Sequence, residues 1–187
     1  MLANMITCEG FSVPVWVSGP DSAVNVVVLS EASDTAAGYE GLCERLHNAD
    51  VRTVVVGAEP RLRTTDVLAM LDQFGVSWAV LVGDRAGAVL AWELAAERPD
   101  RFTGLVVIDR GFPALPEADG VPGRQRCSAL AVNTTALVSG PDAEAIARAS
   151  QQYVHSDYRV VNIAAPCGSA EATAQLTAEI VLRTTTW

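Results

Sequence analysis

Trp78-Ala-Val-Leu-Val-Gly-Asp-Arg-Ala-Gly-Ala-Val-Leu-Ala-Trp-Glu-Leu-Ala-Ala-Glu97 opens as an apolar run and changes character at a pair of glycines. Residues 79–82 are uniformly apolar, as in a strand buried on both faces. Gly83-Asp84-Arg85-Ala86-Gly87 turns the chain, and Leu90, Leu94 and Ala95 then recur on one helix face. The stretch therefore predicts a strand, a sharp glycine-bounded turn and a helix. Arg85 stands at the middle of that turn.

Towards the N-terminus the same alternation repeats. Residues 7–9 and 12–17 flank Gly10-Phe11 and predict two short strands joined by a tight turn. After Gly19-Pro20-Asp21-Ser22, the β-branched run 25–29 reads as the first central strand. Asp34 or Thr35 is placed to cap a helix over 36–48, with Tyr39, Leu42, Cys43 and Leu46 inward. Residues 52–56 form the next strand. Thr64 or Thr65 then caps a helix carrying Val67, Leu68, Leu71 and Phe74, stopped by Gly75.

Towards the C-terminus, Pro99 closes the helix of the opening stretch, and the apolar run 102–108 predicts a strand ending at Asp109. Residues 111–127 hold Pro113, Pro116, Gly120, Pro122 and Gly123 and read as an irregular connection. A strand over 134–139, a helix over 142–152, a strand over 159–163 and a helix over 170–182 complete the chain. Apolar strands alternating with helices predict an α/β fold: a doubly wound, mostly parallel central sheet with helices on both faces. The 187 residues show no internal repeat or linker, so one domain over residues 1–187 is expected.

Half of the residues are hydrophobic (50%) against 19% charged, which excludes a disordered chain. The formal charge of −9 argues against nucleic acid or an anionic membrane surface as partner. No apolar run is long enough to span a bilayer, and the first ten residues lack the basic start of a signal peptide. Cys8, Cys43, Cys127 and Cys167 are scattered, with only His47 and His155 to join them. That spacing predicts reduced thiols in a cytoplasmic protein, with no metal site and no cofactor.

Three segments in register resemble the α/β-hydrolase-fold proteins of the esterase, haloperoxidase and lactonase type. They are Leu68-Ala-Met-Leu-Asp-Gln-Phe-Gly75, Ala79-Val-Leu-Val-Gly-Asp-Arg-Ala-Gly87 and Glu97-Arg-Pro-Asp-Arg-Phe-Thr-Gly-Leu-Val-Val-Ile-Asp109. The resemblance covers nearly the whole chain and implies that fold in a form without a cap domain. It also identifies the glycine-bounded turn as a nucleophile elbow, Gly-x-Ser-x-Gly in the family, with Arg85 at the serine position.

The family's chemistry needs a nucleophile, a histidine base, an acid that orients it and an oxyanion hole. A guanidinium is neither nucleophile nor base. Asp84 is adjacent, and related dehalogenases do attack through a carboxylate, but a one-residue shift turns that side chain from the apex. The turn that carries the histidine in the family matches Ile163-Ala-Ala-Pro-Cys-Gly-Ser169, which puts Gly168 at its position. Cys167 beside it reads as a ligand, a thiol or an inert residue. His47 and His155 read as ordinary surface or helix-end histidines. Asp142 matches the acid, or else simply caps the helix that follows it, and Asp109 is a second candidate acid. Ser30 and Glu31 stand where the oxyanion element begins, and Glu31 has the wrong sign for stabilising a developing negative charge.

Catalytic residues are therefore not assigned. Arg85 is expected to pair with Glu31 or Asp142 across the old floor of the site. Otherwise, with the backbone amides of the helix start, it would hold a carboxylate or phosphate. Arg85, Asp84, Ser30, Glu31 and Asp142 are the expected binding residues. The leading expectation is a pseudo-hydrolase acting by binding or assembly, through a protein partner or a second copy at the uncovered carboxyl end of the sheet. The alternatives are a divergent weak ester or lactone hydrolase and a non-hydrolytic sensor of a small acyl or anionic ligand.

Overall fold

The structure is a computed structural model and describes residues 2–7, 9–31, 37–113, 130–163, 165 and 168–184. Strands β1 (Leu2–Ile6), β2 (Ser12–Ser18), β3 (Asn25–Leu29) and β4 (Arg52–Val56) precede β5 (Ala79–Asp84), β6 (Phe102–Ile108), β7 (Thr134–Val138) and β8 (Tyr158–Asn162). Helices α1 (Glu40–Asn48), α2 (Thr64–Gln73), α3 (Ala86–Glu97), α4 (Pro141–Ser150) and α5 (Ala170–Thr184) lie between and after them. One eight-stranded sheet results, in the order β1-β2-β4-β3-β5-β6-β7-β8. All its neighbours pair parallel except β1 with β2 and β2 with β4.

The central strands are buried on both faces, which is why their sequences run apolar without alternation. Val27, Leu29, Val54, Val56, Leu81 and Val107 face one core, closed by Val67, Met70 and Leu71 of α2 and Ala88, Trp92 and Leu94 of α3. Val26, Val28, Val55, Val80, Val82 and Val106 face the other, closed by Leu42 and Leu46 of α1 and Ile180 of α5. The sheet is thus doubly wound, and the chain moves outward in opposite directions from β3. Ligand crevices form at the carboxyl ends of strands around such a reversal.

Several boundaries differ from the sequence expectation. The first strand is Leu2–Ile6, and Thr7 belongs to the turn: its N–H donates to Phe11 O at 3.0 Å and its carbonyl accepts from Gly10 N–H at 2.9 Å. The first helix opens as a 3-10 turn at Ala37–Tyr39, and residues 34 and 35 lie outside the described residues. The residue before α2 is Arg63 rather than a threonine, and its N–H donates to Asp66 Oδ2 at 3.2 Å. Asp66 thereby satisfies a backbone donor that the threonines do not. Strand β5 runs on through Gly83 and Asp84, so the turn narrows to Arg85 alone. Of residues 111–127, only the first three are described.

Candidate functional site

The site is built on the turn between β5 and α3. Arg85 adopts φ 43° and ψ −99°, a conformation disfavoured for any residue with a Cβ. Its N–H donates to Ile108 O at 3.1 Å, and its carbonyl accepts from Ala88 N–H at 3.1 Å. The flanking glycines permit the approach of helix to sheet. A Cβ on Gly83 would lie 2.5 Å from Ala88 Cα, and one on Gly87 2.2 Å from Leu29 O. Neither position tolerates a side chain without moving backbone.

Around this apex the parallel sheet gathers charges from distant parts of the chain. Leu29 pairs with Gly83, which brings the residues after β3 beside the turn. Arg85 Nη1 forms an ion pair with Glu31 Oε2, while Arg85 Nε lies 3.8 Å from Asp84 Oδ1. The Arg85 and Glu31 side chains are 39% and 43% exposed, so solvent screens the pair. Ser30 is buried, and its N–H donates to Val56 O at 3.1 Å.

Asp84 lies beneath the pair. Its Oδ2 accepts a 2.5 Å hydrogen bond from the Tyr39 hydroxyl. Its Oδ1 is buried and has no hydrogen-bond partner among the described residues. Burial pushes the Asp84 carboxyl above its usual range, opposed by the Tyr39 hydrogen bond and the Arg85 charge. Burial also pushes the Tyr39 phenol far up, reinforced by the negative charge of Asp84. Helical spacing places Tyr39 on the inner face and does not indicate this contact. The available signal was its hydroxyl, since a buried tyrosine hydroxyl usually finds a partner.

The remaining candidates are dispersed. Asp109 adopts φ 50°, and both its oxygens accept from Ser139: Oδ1 from the N–H and Oδ2 from the hydroxyl, each at 2.7 Å. It ties the end of β6 to the start of the α4 turn. Asp142 lies exposed in the first turn of α4 and, among the described residues, forms no ion pair. Gly140 takes the N-cap position, so the capping role considered for Asp142 is not the one it plays. Gly168 is exposed at φ 84°. His47 Nε2 meets Thr53 Oγ1 at 2.9 Å, where Thr53 pairs with Ser18 at the sheet's amino end. His155 is exposed, and its backbone N–H donates to Leu130 O at 2.8 Å. Cys43 is a free, half-buried thiol, while Cys8, Cys127 and Cys167 lie outside the described residues. Among the described residues no cluster of His, Cys, Asp or Glu is arranged to hold a metal. No described helix is long and apolar enough to cross a membrane.

The architecture matches solved structures over almost its full extent. An epoxide hydrolase variant from Vigna radiata superposes with a TM-score of 0.74 at 11% identity, covering 100% of this chain and 99% of that one. Mouse alpha/beta hydrolase domain-containing protein 10 gives 0.73 at 12% identity, covering 97% of each. This is the α/β-hydrolase fold.

In sequence, an epoxide hydrolase from Caballeronia sordidicola is 35% identical over 98 residues, 48% of this chain and 30% of that enzyme. The chain spans less than a third of the length of the curated relatives it matches. No family model matches it. The β5–α3 turn carries Arg85 between the end of a central strand and the start of a helix. Glu31 follows the first central strand, and Asp109 follows β6.

Proposed function

We propose that this chain is a pseudo-hydrolase, which keeps the α/β-hydrolase elbow as architecture and uses the carboxyl end of its sheet for binding. The observation that carries this reading is Arg85 at φ 43°, on the elbow apex and paired with Glu31. A permanently protonated guanidinium neither attacks an electrophile nor accepts a proton. Glu31 then sets a negative charge where acyl transfer would build one, which opposes rather than stabilises that transition state.

The base is missing from the same neighbourhood. Gly168 stands at the histidine position, His47 is engaged at the opposite end of the sheet and His155 is exposed beside Leu130. The preferred partners of the site are a protein surface or a small acyl or anionic ligand that competes with Glu31 for the guanidinium.

A weak hydrolase remains as a second reading, favoured by one observation: the sequence relatives are named epoxide hydrolases. In that reading Asp84 would supply the carboxylate. Its side chain is directed to Tyr39 rather than to the apex, which is why it ranks second.

One panel of p-nitrophenyl esters, a lactone and a styrene-type epoxide separates the two. The pseudo-hydrolase reading expects background rates for the parent chain, for Arg85→Ala and for Arg85→Ser, because a restored serine still lacks base and oxyanion hole. Turnover by the parent chain that is abolished in Asp84→Asn would overturn it.

A further inference from the structure

We propose that the free edge of β1 pairs with β1 of a second copy of this chain, antiparallel, about a two-fold axis at Asn4. Among the described residues β1 is the last strand of the sheet and pairs only with β2. Adjacent residues of a strand direct their backbone groups to opposite sides, so one bond fixes the phase of the rest. Thr7 N–H donates to Phe11 O on the β2 side. Backbone groups of residues 5 and 3 therefore also face β2, and those of Leu2, Asn4 and Ile6 face outward.

A second observation fixes the same phase independently. Pro14, the cross-strand partner of Asn4, turns its carbonyl away from β1 to accept from Gly57 N–H at 2.9 Å. Asn4 and Pro14 thus form a pair without mutual hydrogen bonds, and Asn4 directs its own donor and acceptor out of the sheet.

Pairing about Asn4 is self-complementary. Leu2 meets the partner's Ile6, Asn4 meets the partner's Asn4, and Ile6 meets the partner's Leu2, all at positions whose backbone groups point across the new junction. Their side chains share one face. Leu2 is 59% and Ile6 66% exposed, the two most exposed large apolar residues among those described, and the pairing covers each with the other.

The charge pattern selects a second copy as the occupant. The molecule carries −9, so most of its surface repels another of its kind. Residues 2–7 and 11–18 carry no charge at all, and Glu9 in the connecting turn is engaged by Arg63. Natural sheets protect an exposed edge with charge, proline or a bulge. β1 has none of these, and its register with β2 is unbroken from Leu2 to Ile6. The opposite edge, β8, carries Arg159, paired with Glu179 at 3.4 Å.

Sedimentation velocity of the full chain across a concentration series tests the pairing. The expected result is a dimer whose fraction rises with concentration. Asn4→Pro removes the outward N–H while leaving the β1–β2 bonds intact, and Ile6→Glu sets a charge against the partner's Leu2 at both ends of the junction. Both variants are expected to sediment as monomers at every concentration and to melt with the parent's monomeric form. If Asn4→Pro melts early, Ile6→Glu carries the test alone. A parent chain that stays monomeric at its highest concentration overturns the proposal, as does a dimer that survives both variants.

Discussion

Two arginines of this chain live under opposite conditions. Arg183 on α5 is 2% exposed, and each of its nitrogens is engaged: Nε with Thr135 Oγ1 at 2.9 Å, Nη1 with Asp157 Oδ2 at 2.6 Å, and Nη2 with Thr134 O at 2.8 Å. Gly104 of β6 makes room for its stem, since a Cβ there would lie 2.7 Å from Arg183 Cβ. Arg85 is 39% exposed, sits on a disfavoured backbone conformation and meets a carboxylate that is itself 43% exposed. The first guanidinium joins α5 to β7 and the start of β8, and the fold depends on it. The second contributes little to stability that a smaller residue would not. The difference separates an arginine that holds elements of the fold together from one displayed at the carboxyl end of the sheet.

Arg183→Ala removes a buried charge with three hydrogen bonds and leaves a void, so a loss of about 3–5 kcal/mol is expected in urea unfolding. Arg183→Lys should recover only part of it, because an ammonium cannot reach three acceptors in a fork. A loss under 1 kcal/mol would erase the distinction between the two arginines. Gly87→Ala forces Leu29 O away from a Cβ and should cost about 1–3 kcal/mol, showing that the turn's rigidity resides in its glycines.

Asp84 gives the third test, and its sign follows from the raised carboxyl. A group that binds its proton more tightly in the folded state stabilises at acid pH. That contribution is lost as pH rises from the ordinary carboxyl range, near about 4, towards the raised value. Asp84→Asn keeps an acceptor for Tyr39 and removes the buried charge. It should therefore be more stable than the parent at neutral pH by about 1 kcal/mol, with the gap closing in acid. A gap that widens in acid would show that the carboxylate is stabilised rather than strained. The smallest effect is expected at Arg85 itself. A double-mutant cycle of Arg85→Ala with Glu31→Ala should give a coupling below about 1 kcal/mol that fades with added salt. A larger, salt-resistant coupling would make Arg85 a second Arg183.

The sequence carried the central strands because burial on both faces removes alternation and leaves an unmistakable apolar run, as in 79–82 and 102–108. The bounds of the first strand are not legible, because Thr7 has the β-branched character of a strand residue but serves the turn, bonding across to Phe11. Arg85 and Glu31 were both legible, since the order of parallel strands sets them at neighbouring strand ends. The Tyr39–Asp84 contact was not, because a tyrosine at helical spacing reads as packing. Where its hydroxyl lands depends on the 3-10 turn preceding α1, which residue pattern does not encode. The Asp109–Ser139 clasp was likewise hidden. It requires Asp109 to adopt φ 50°, a local choice made by the alignment of β6 with β7.

Gly83 and Gly87 fasten the β5–α3 turn to Ala88 and Leu29, and neither contact involves the side chain at position 85. The turn is therefore indifferent to what it displays. A serine, a carboxylate or a guanidinium placed there would stand on the same backbone. Such a turn is a socket more than a site, preserving direction while its fitting is replaced. Exchanging that fitting leaves the packing of helix on sheet beneath it untouched.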